Sequence, residues 1–205
     1  DPLGGRDPYS SSKACTELLV QSFRDSFCGD NGCGLHLATA RAGNVIGGGD
    51  GSQDRLIPDA IRAFSSGRAV QIRNAEAVRP WQHVLEPLTG YLTLCEQLYS
   101  NGKQFTGGWN FGPEEASTIS VAEVIRKITS LYGNGAKFEF IATEDQPPEA
   151  SLLRLDSTKA KAALNWYPKW DLDLALEKTV CWYCEDLKGL DMVTVTSDQV
   201  MEFLE

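Results

Sequence analysis

The sequence predicts an α/β fold with parallel strand pairing, and three observations predict it. Apolar residues at helical spacing alternate with short apolar runs of strand length along nearly the whole chain. One such run leads into a glycine-rich segment, the place where open α/β sheets put their ligands. The 205 residues are 42% apolar, enough for the core of one domain or one and a fraction.

Cys15, Leu19, Phe23 and Phe27 recur every fourth position with Leu18 beside them, which predicts a helix beginning near Ser10 to Ser12. Leu35 to Ala40 is short and largely apolar and reads as a buried strand. It runs into Gly43-Asn44-Val45-Ile46-Gly47-Gly48-Gly49, read as a glycine-rich turn. A helix is expected at Leu56 to Phe64 and a strand at Ala69 to Arg73. A longer helix covers about Glu86 to Tyr99, and a short strand lies around Trp109 to Phe111. The helix at Val121 to Tyr132 leads to a strand at Lys137 to Ile141. Helices at Ser157 to Leu164 and Leu172 to Leu187 precede a short terminal one. Between that strand and the helix at Ser157, Pro147 and Pro148 mark Ala142 to Ala150 as an irregular loop. Strands alternating with helices favour parallel pairing.

The formal net charge is -9 and no basic stripe interrupts it. This argues against nucleic acid as a partner, because phosphate neutralisation needs clustered cations. No apolar run approaches the ~20 residues that cross a bilayer, and no charged-then-apolar leader opens the chain. A soluble, cytoplasmic protein without a membrane partner is expected. Cys15, Cys28, Cys33, Cys95, Cys181 and Cys184 follow no disulfide rhythm and are expected to be reduced. Cys181 and Cys184 form a CxxC, but with no second CxxC and no nearby histidine they read as core packing rather than a zinc site; no metal is expected.

Tyr9 and Lys13 are four residues apart at the start of the first helix and stack on one face. An ammonium beside a phenol favours the phenolate, a base able to take a proton from a sugar hydroxyl. An ordinary surface pair at a helix start has the same spacing. Gly43 to Gly49 allows close backbone approach to a ligand, and Asn44 offers an amide; a plain turn is the alternative. Arg55, Arg73 and Arg79 fall in one stretch of an acidic chain, and the guanidinium fork suits a pyrophosphate, whereas solvated arginines are the bland reading.

The order of these motifs resembles the short-chain dehydrogenase/reductase family, in its extended epimerase/dehydratase branch. Tyr9-Ser10-Ser11-Ser12-Lys13 looks like the family's YxxxK signature. Arg41-Ala42-Gly43-Asn44-Val45-Ile46-Gly47 and Asp54-Arg55-Leu56-Ile57-Pro58 resemble segments of the sugar-nucleotide branch. Arg79-Pro80-Trp81-Gln82-His83-Val84-Leu85-Glu86 is similar to its Arg-Asp-Phe/Trp-x-x-Val-x-Asp block, with Pro80 and Glu86 replacing the more general aspartates. Trp109-Asn110-Phe111-Gly112 resembles a later strand end. Leu155-Asp156-Ser157-Thr158-Lys159 and Leu164-Asn165-Trp166-Tyr167-Pro168 resemble the closing segment. The wording of several motifs is similar to that of dehydratases acting on a cytidine-linked glucose.

The resemblance implies the later half of a Rossmann-type parallel-sheet domain (1–49 and 80–112) and a smaller C-terminal α/β nucleotide-sugar-binding domain (50–79 and 113–205). It implies an NAD-dependent lyase acting on a nucleotide-linked hexose. Tyr9 would be the base, and Lys13 would bind the nicotinamide ribose. Ala42, Gly43, Asn44 and Val45 would pass near the nicotinamide, and Asn44, Arg55, Arg79 and Asn110 would hold substrate phosphates. A nucleotide-sugar epimerase or decarboxylase of the same family, or a non-catalytic nucleotide-sugar-binding module, remains as an alternative. His83 reads as a structural histidine beside Trp81, and Trp81 as core. No segment reads G-x-G-x-x-G before a helix, and Asp1 to Pro8 looks like mid-loop. The dinucleotide-binding front is therefore expected to be missing, the chain alone inactive, and the complete protein a homo-oligomer.

Overall fold

Local sequence chemistry sets where the elements start. A computed structural model describes residues 3–5, 7–28, 34–141 and 151–205. By proximity of Cα atoms the chain divides into two compact units: 1–41, 88–111 and 156–167 form one, and 42–87, 112–155 and 168–205 the other. This division places 42–49 and 80–87 with the C-terminal residues, and 156–167 with the first helix.

In the first unit, α1 (Pro8–Phe27) starts where the Asp7 carboxylate accepts the Tyr9 and Ser10 N–H groups at 2.9 and 3.0 Å, with proline in the first turn. Strand β1 (Ala38–Ala42) pairs with the later strand Gly107–Phe111. Residues of the long helix Leu85–Asn101 from Leu88 onward, and the helix Thr158–Leu164, complete the unit. Its core is Leu94, Trp109, Phe111, Ala160, Leu164 and Trp166. Phe111 meets Trp166 edge-on at 5.1 Å. The Trp109 indole donates to the Phe105 carbonyl at 2.8 Å, so a large ring is buried without losing a hydrogen bond.

The second unit holds β2 (Asn44–Ile46), α2 (Leu56–Ser65), β3 (Ala69–Ile72) and β4 (Val78–His83), with α3 (Leu85–Asn101) beginning after it. With β5 being the strand Gly107–Phe111, the chain continues through β6 (Thr118–Ser120), α4 (Val121–Tyr132) and β7 (Lys137–Phe140). After α5 (Thr158–Leu164) come α6 (Leu172–Leu187) and α7 (Met192–Leu204). β2 runs parallel to β4 with Asn44 opposite Trp81, β4 pairs antiparallel with β6, and β3 runs parallel to β7. Ile57, Ile61, Phe64, Val70, Ile125, Ile128, Leu176 and Val180 are among the core residues. A Ser120–Glu123 capping box starts α4, and Asp171 caps α6.

Several expectations need correction. Asn44–Ile46 is a strand, not part of a turn, and β4 and β6 have no counterpart in the sequence reading. Pro80 and the polar Arg79, Gln82 and His83 hide β4, because strand patterns are read from apolar alternation. Yet Arg79 to His83 are all buried, as a central strand paired on both sides requires. The first strand sits at Ala38–Ala42 rather than Leu35–Ala40, and the β4–β6 pair is antiparallel. The apolar stripe of α1 forms as a helix but buries nothing: Leu18, Leu19, Phe23 and Phe27 are exposed. Cys184 packs against the core as expected, but Cys181 is exposed. Cys15 and Cys95 are also free thiols, whereas Cys33 and the loop at 142–150 lie outside the described residues. No described helix is long and apolar enough to cross a membrane, and the described residues contain no cluster fit for a metal ion.

Candidate functional site

In the first unit, the helical repeat puts Tyr9, Lys13 and Glu17 on one face of α1. Tyr9 is 72% exposed, and the Lys13 ammonium lies 5.4 Å from the centre of its ring. One turn on, Glu17 accepts the Arg41 Nε–H and the Thr39 hydroxyl, each at 2.8 Å. Arg41 donates to Asn110 Oδ1 at 3.0 Å, and Asn110 Nδ2 donates to the Asp156 carbonyl at 3.1 Å. Both ends of the Asn110 amide are thus engaged. Lys159 donates to the Gly108 carbonyl at 2.9 Å and lies 3.9 Å from the centre of the Trp109 ring. Burial pushes the Lys159 ammonium pKa down, and Arg41 and Arg24 act in the same direction. The network ties α1 to β1 and β5 one helical turn after Lys13. Sequence reasoning missed Glu17 and Arg41 as its hub; the continued four-residue spacing after Lys13 was the available signal.

In the second unit, Gly43 needs its missing side chain: a Cβ there would lie 2.5 Å from the Pro80 carbonyl. Asn44 is half-buried on β2, and Val45, next along the strand, is exposed. Arg55 is exposed at the start of α2. Arg73 is exposed with its guanidinium 3.9 Å from Asp54, a surface pair. Arg79 differs from both: it is 4% exposed, and its guanidinium donates to the Val78 carbonyl at 2.9 Å. A buried guanidinium is costly unless held by several acceptors, so Arg79 is the arginine with a fixed orientation.

His83 is 2% exposed, and its Nδ1 accepts the Leu85 N–H at 3.4 Å. Its ring lies 4.9 Å from that of Trp170, and burial pushes its pKa down to about 4, so it is a neutral core imidazole. Trp81 is core, its indole donating to the Ile119 carbonyl at 3.1 Å. Glu86 is buried and accepts the backbone N–H groups of Lys169 and Trp170 at 2.7 to 3.1 Å. Burial holds its carboxyl above the usual range, against the pull of those donors. The last acid of the β4 block thus fixes the chain entering α6.

A family model described as GDP-mannose 4,6 dehydratase matches residues 1–179. The chain is similar to CDP-glucose 4,6-dehydratase of Salmonella typhimurium, 42% identical over 207 residues, covering 100% of this chain and 57% of that protein. It is 23% identical to dTDP-glucose 4,6-dehydratase 1 of Escherichia coli over 187 residues, covering 91% of this chain and 50% of that one. The chain therefore spans about half the length of these curated relatives. A crystal structure of a dTDP-glucose 4,6-dehydratase from Streptomyces venezuelae with NAD bound superposes with a TM-score of 0.75 at 20% identity. It covers 93% of this chain and 55% of that one, and speaks for the fold alone.

Proposed function

We infer, because the chain belongs to the GDP-mannose 4,6 dehydratase family, that it supplies the base and part of the substrate site of an NAD-dependent nucleotide-sugar 4,6-dehydratase, a lyase. The observation that carries this reading is the Tyr9–Lys13 pair, stacked at the start of α1. The proposed substrate is CDP-glucose, supported by the 42% identity with the Salmonella enzyme. The proposed product is CDP-4-keto-6-deoxyglucose, a precursor for deoxysugars.

The Tyr9 phenolic oxygen takes the proton of the sugar 4-hydroxyl, with the Lys13 ammonium beside the ring. A ketone at C4 acidifies the C5 proton, so water leaves from C5 and C6. NAD, when bound, supplies the hydride acceptor at C4 and the hydride donor at C6. By the family motifs, Lys13 would donate from its ammonium to ribose hydroxyls, and Ala42, Gly43, Asn44 and Val45 would lend backbone beside the nicotinamide, with an exposed apolar side chain at Val45. Arg55 and Arg79 bring planar forks to the diphosphate, with Asn44 beside Gly43. Asn110 joins them by motif order, and exchanges one of its two present partners to do so. Assigning residues of both units to one substrate rests on the family motifs. A cytoplasmic setting, a homo-oligomeric complete protein and the absence of a nucleic-acid partner belong to the same proposal.

Calorimetric titration with CDP-glucose beside UDP-glucose, dTDP-glucose and GDP-mannose tests the reading. Selective binding of the cytidine sugar is expected. Preference for another nucleotide replaces the substrate and keeps the reaction, whereas binding of none of the four overturns the proposed site.

A further inference from the structure

The CxxC of the sequence encloses Trp182 and Tyr183, and the structure gives those two rings a place that the sulfurs lack. The loop from β2 to α2, residues 47–55, contains Gly47, Gly48, Gly49 and Gly51, so the unfolded chain has much conformational freedom to lose there. Gly49 at φ 82° and Asp54 at φ 59° both occupy the left-handed region. Such a loop stays in one conformation only if neighbouring elements hold it.

The holding groups come from the two flanking helices. The Tyr183 hydroxyl donates to the Asp50 carbonyl at 2.8 Å from a side chain only 8% exposed. Burial raises the Tyr183 pKa, so the hydroxyl keeps its proton for that bond. The Trp182 indole lies against Gly48, where any side chain would overlap the ring, and its N–H donates to the Thr196 hydroxyl of α7 at 2.9 Å. From α2, Arg62 donates to the Ser52 and Gly51 carbonyls at 2.8 and 3.3 Å. The carbonyls of three successive residues, Asp50, Gly51 and Ser52, are thereby fixed by side chains outside the loop. Asn44 lies three residues before this segment, and Arg55 closes it.

We propose that Trp182 and Tyr183 are positioning residues for the nucleotide-sugar site: they hold the 47–55 loop and so set the place of Arg55. This rests on the function proposed above. The cost of orienting Arg55 is then met by folding rather than by the ligand, and substrate affinity depends on a helix that carries no ligand-binding residue of its own.

Tyr183→Phe removes one hydroxyl and keeps the buried ring, so it tests the inference without emptying the core. Amide hydrogen exchange of the ligand-free 205-residue chain and titration with CDP-glucose are read together. The expected result is exchange about tenfold faster at residues 50–55 with α4 unchanged, and affinity about tenfold weaker. Gly48→Ala is expected to weaken binding too, with Trp182→Ala restoring part of the loss in the double variant. Unchanged exchange at 50–55 overturns the inference. Faster exchange with unaltered affinity also overturns it, while leaving the proposed function standing. A wild-type chain that binds no nucleotide sugar overturns the proposed function and with it the link to affinity; loop exchange then still decides whether the two rings hold the loop.

Discussion

At the residue scale, His83 and Glu86 give the second unit two opposite responses to pH. His83 is neutral when folded because burial lowers its pKa to about 4, whereas an unfolded histidine titrates near ~6.5. Below pH ~6.5 the unfolded chain binds the extra proton, so stability falls as pH drops toward 4. The shift corresponds to about 3 kcal/mol over that window. Glu86 acts the other way, because its raised carboxyl pKa lets the folded chain hold a proton that the unfolded chain has released. His83→Phe keeps an aromatic ring against Trp170 and removes only the first effect. Urea midpoints measured from pH 7 to pH 4 are expected to fall less steeply in the variant; parallel curves would mean His83 is not a buried neutral imidazole. Tyr9 belongs to this scale as well. It is exposed and supports no core, so Tyr9→Phe is expected to leave the thermal midpoint and CDP-glucose affinity unchanged. In an active form of the enzyme, turnover should fall by about 10² to 10⁴, as loss of a general base does.

At the element scale, helices with strong boundary chemistry were legible and strands of buried polar residues were not. Val121 to Tyr132 and Leu172 to Leu187 agree with the sequence reading at both ends, since Ser120 and Asp171 are caps and the apolar period is unbroken. β4 was illegible because its residues are chosen for burial of polar groups and for Arg79, not for alternation. The Tyr9–Lys13 pair was readable from spacing alone, and Glu17 continues that spacing, whereas its joining to Arg41 and Asn110 across α1, β1 and β5 links residues far apart in the chain. One close element contact makes a prediction in which two effects compete. Gly90 lies in α3, where alanine gains about 1 kcal/mol of helix propensity. A Cβ at Gly90, however, would overlap the fully buried Phe111 ring. Overpacking of this kind costs about 1–3 kcal/mol, more than the helix gains. Gly90→Ala should therefore lower the thermal midpoint, and Phe111→Leu in the same chain should cost less than additively. A stabilised Gly90→Ala variant would show that Phe111 yields freely.

For the whole molecule, the decisive balance is between net charge and the uncovered stripe on α1. The chain carries -9, so copies repel at long range, but salt at 0.1 M screens that repulsion beyond ~10 Å. Leu18, Leu19, Phe23 and Phe27 form a continuous exposed apolar surface, with Leu19 at 70% exposure. A stripe of that kind favours association once the charges are screened. Sedimentation of the isolated chain is thus expected to show self-association that strengthens with added salt. Leu19→Glu adds a like charge in the middle of the stripe and should hold the chain monomeric at the same salt. Because Leu19 is solvated, the same change should move unfolding stability by no more than about 0.5 kcal/mol. Association that persists in Leu19→Glu would assign the contact to another surface. A large loss of stability would instead show that α1 is covered in solution.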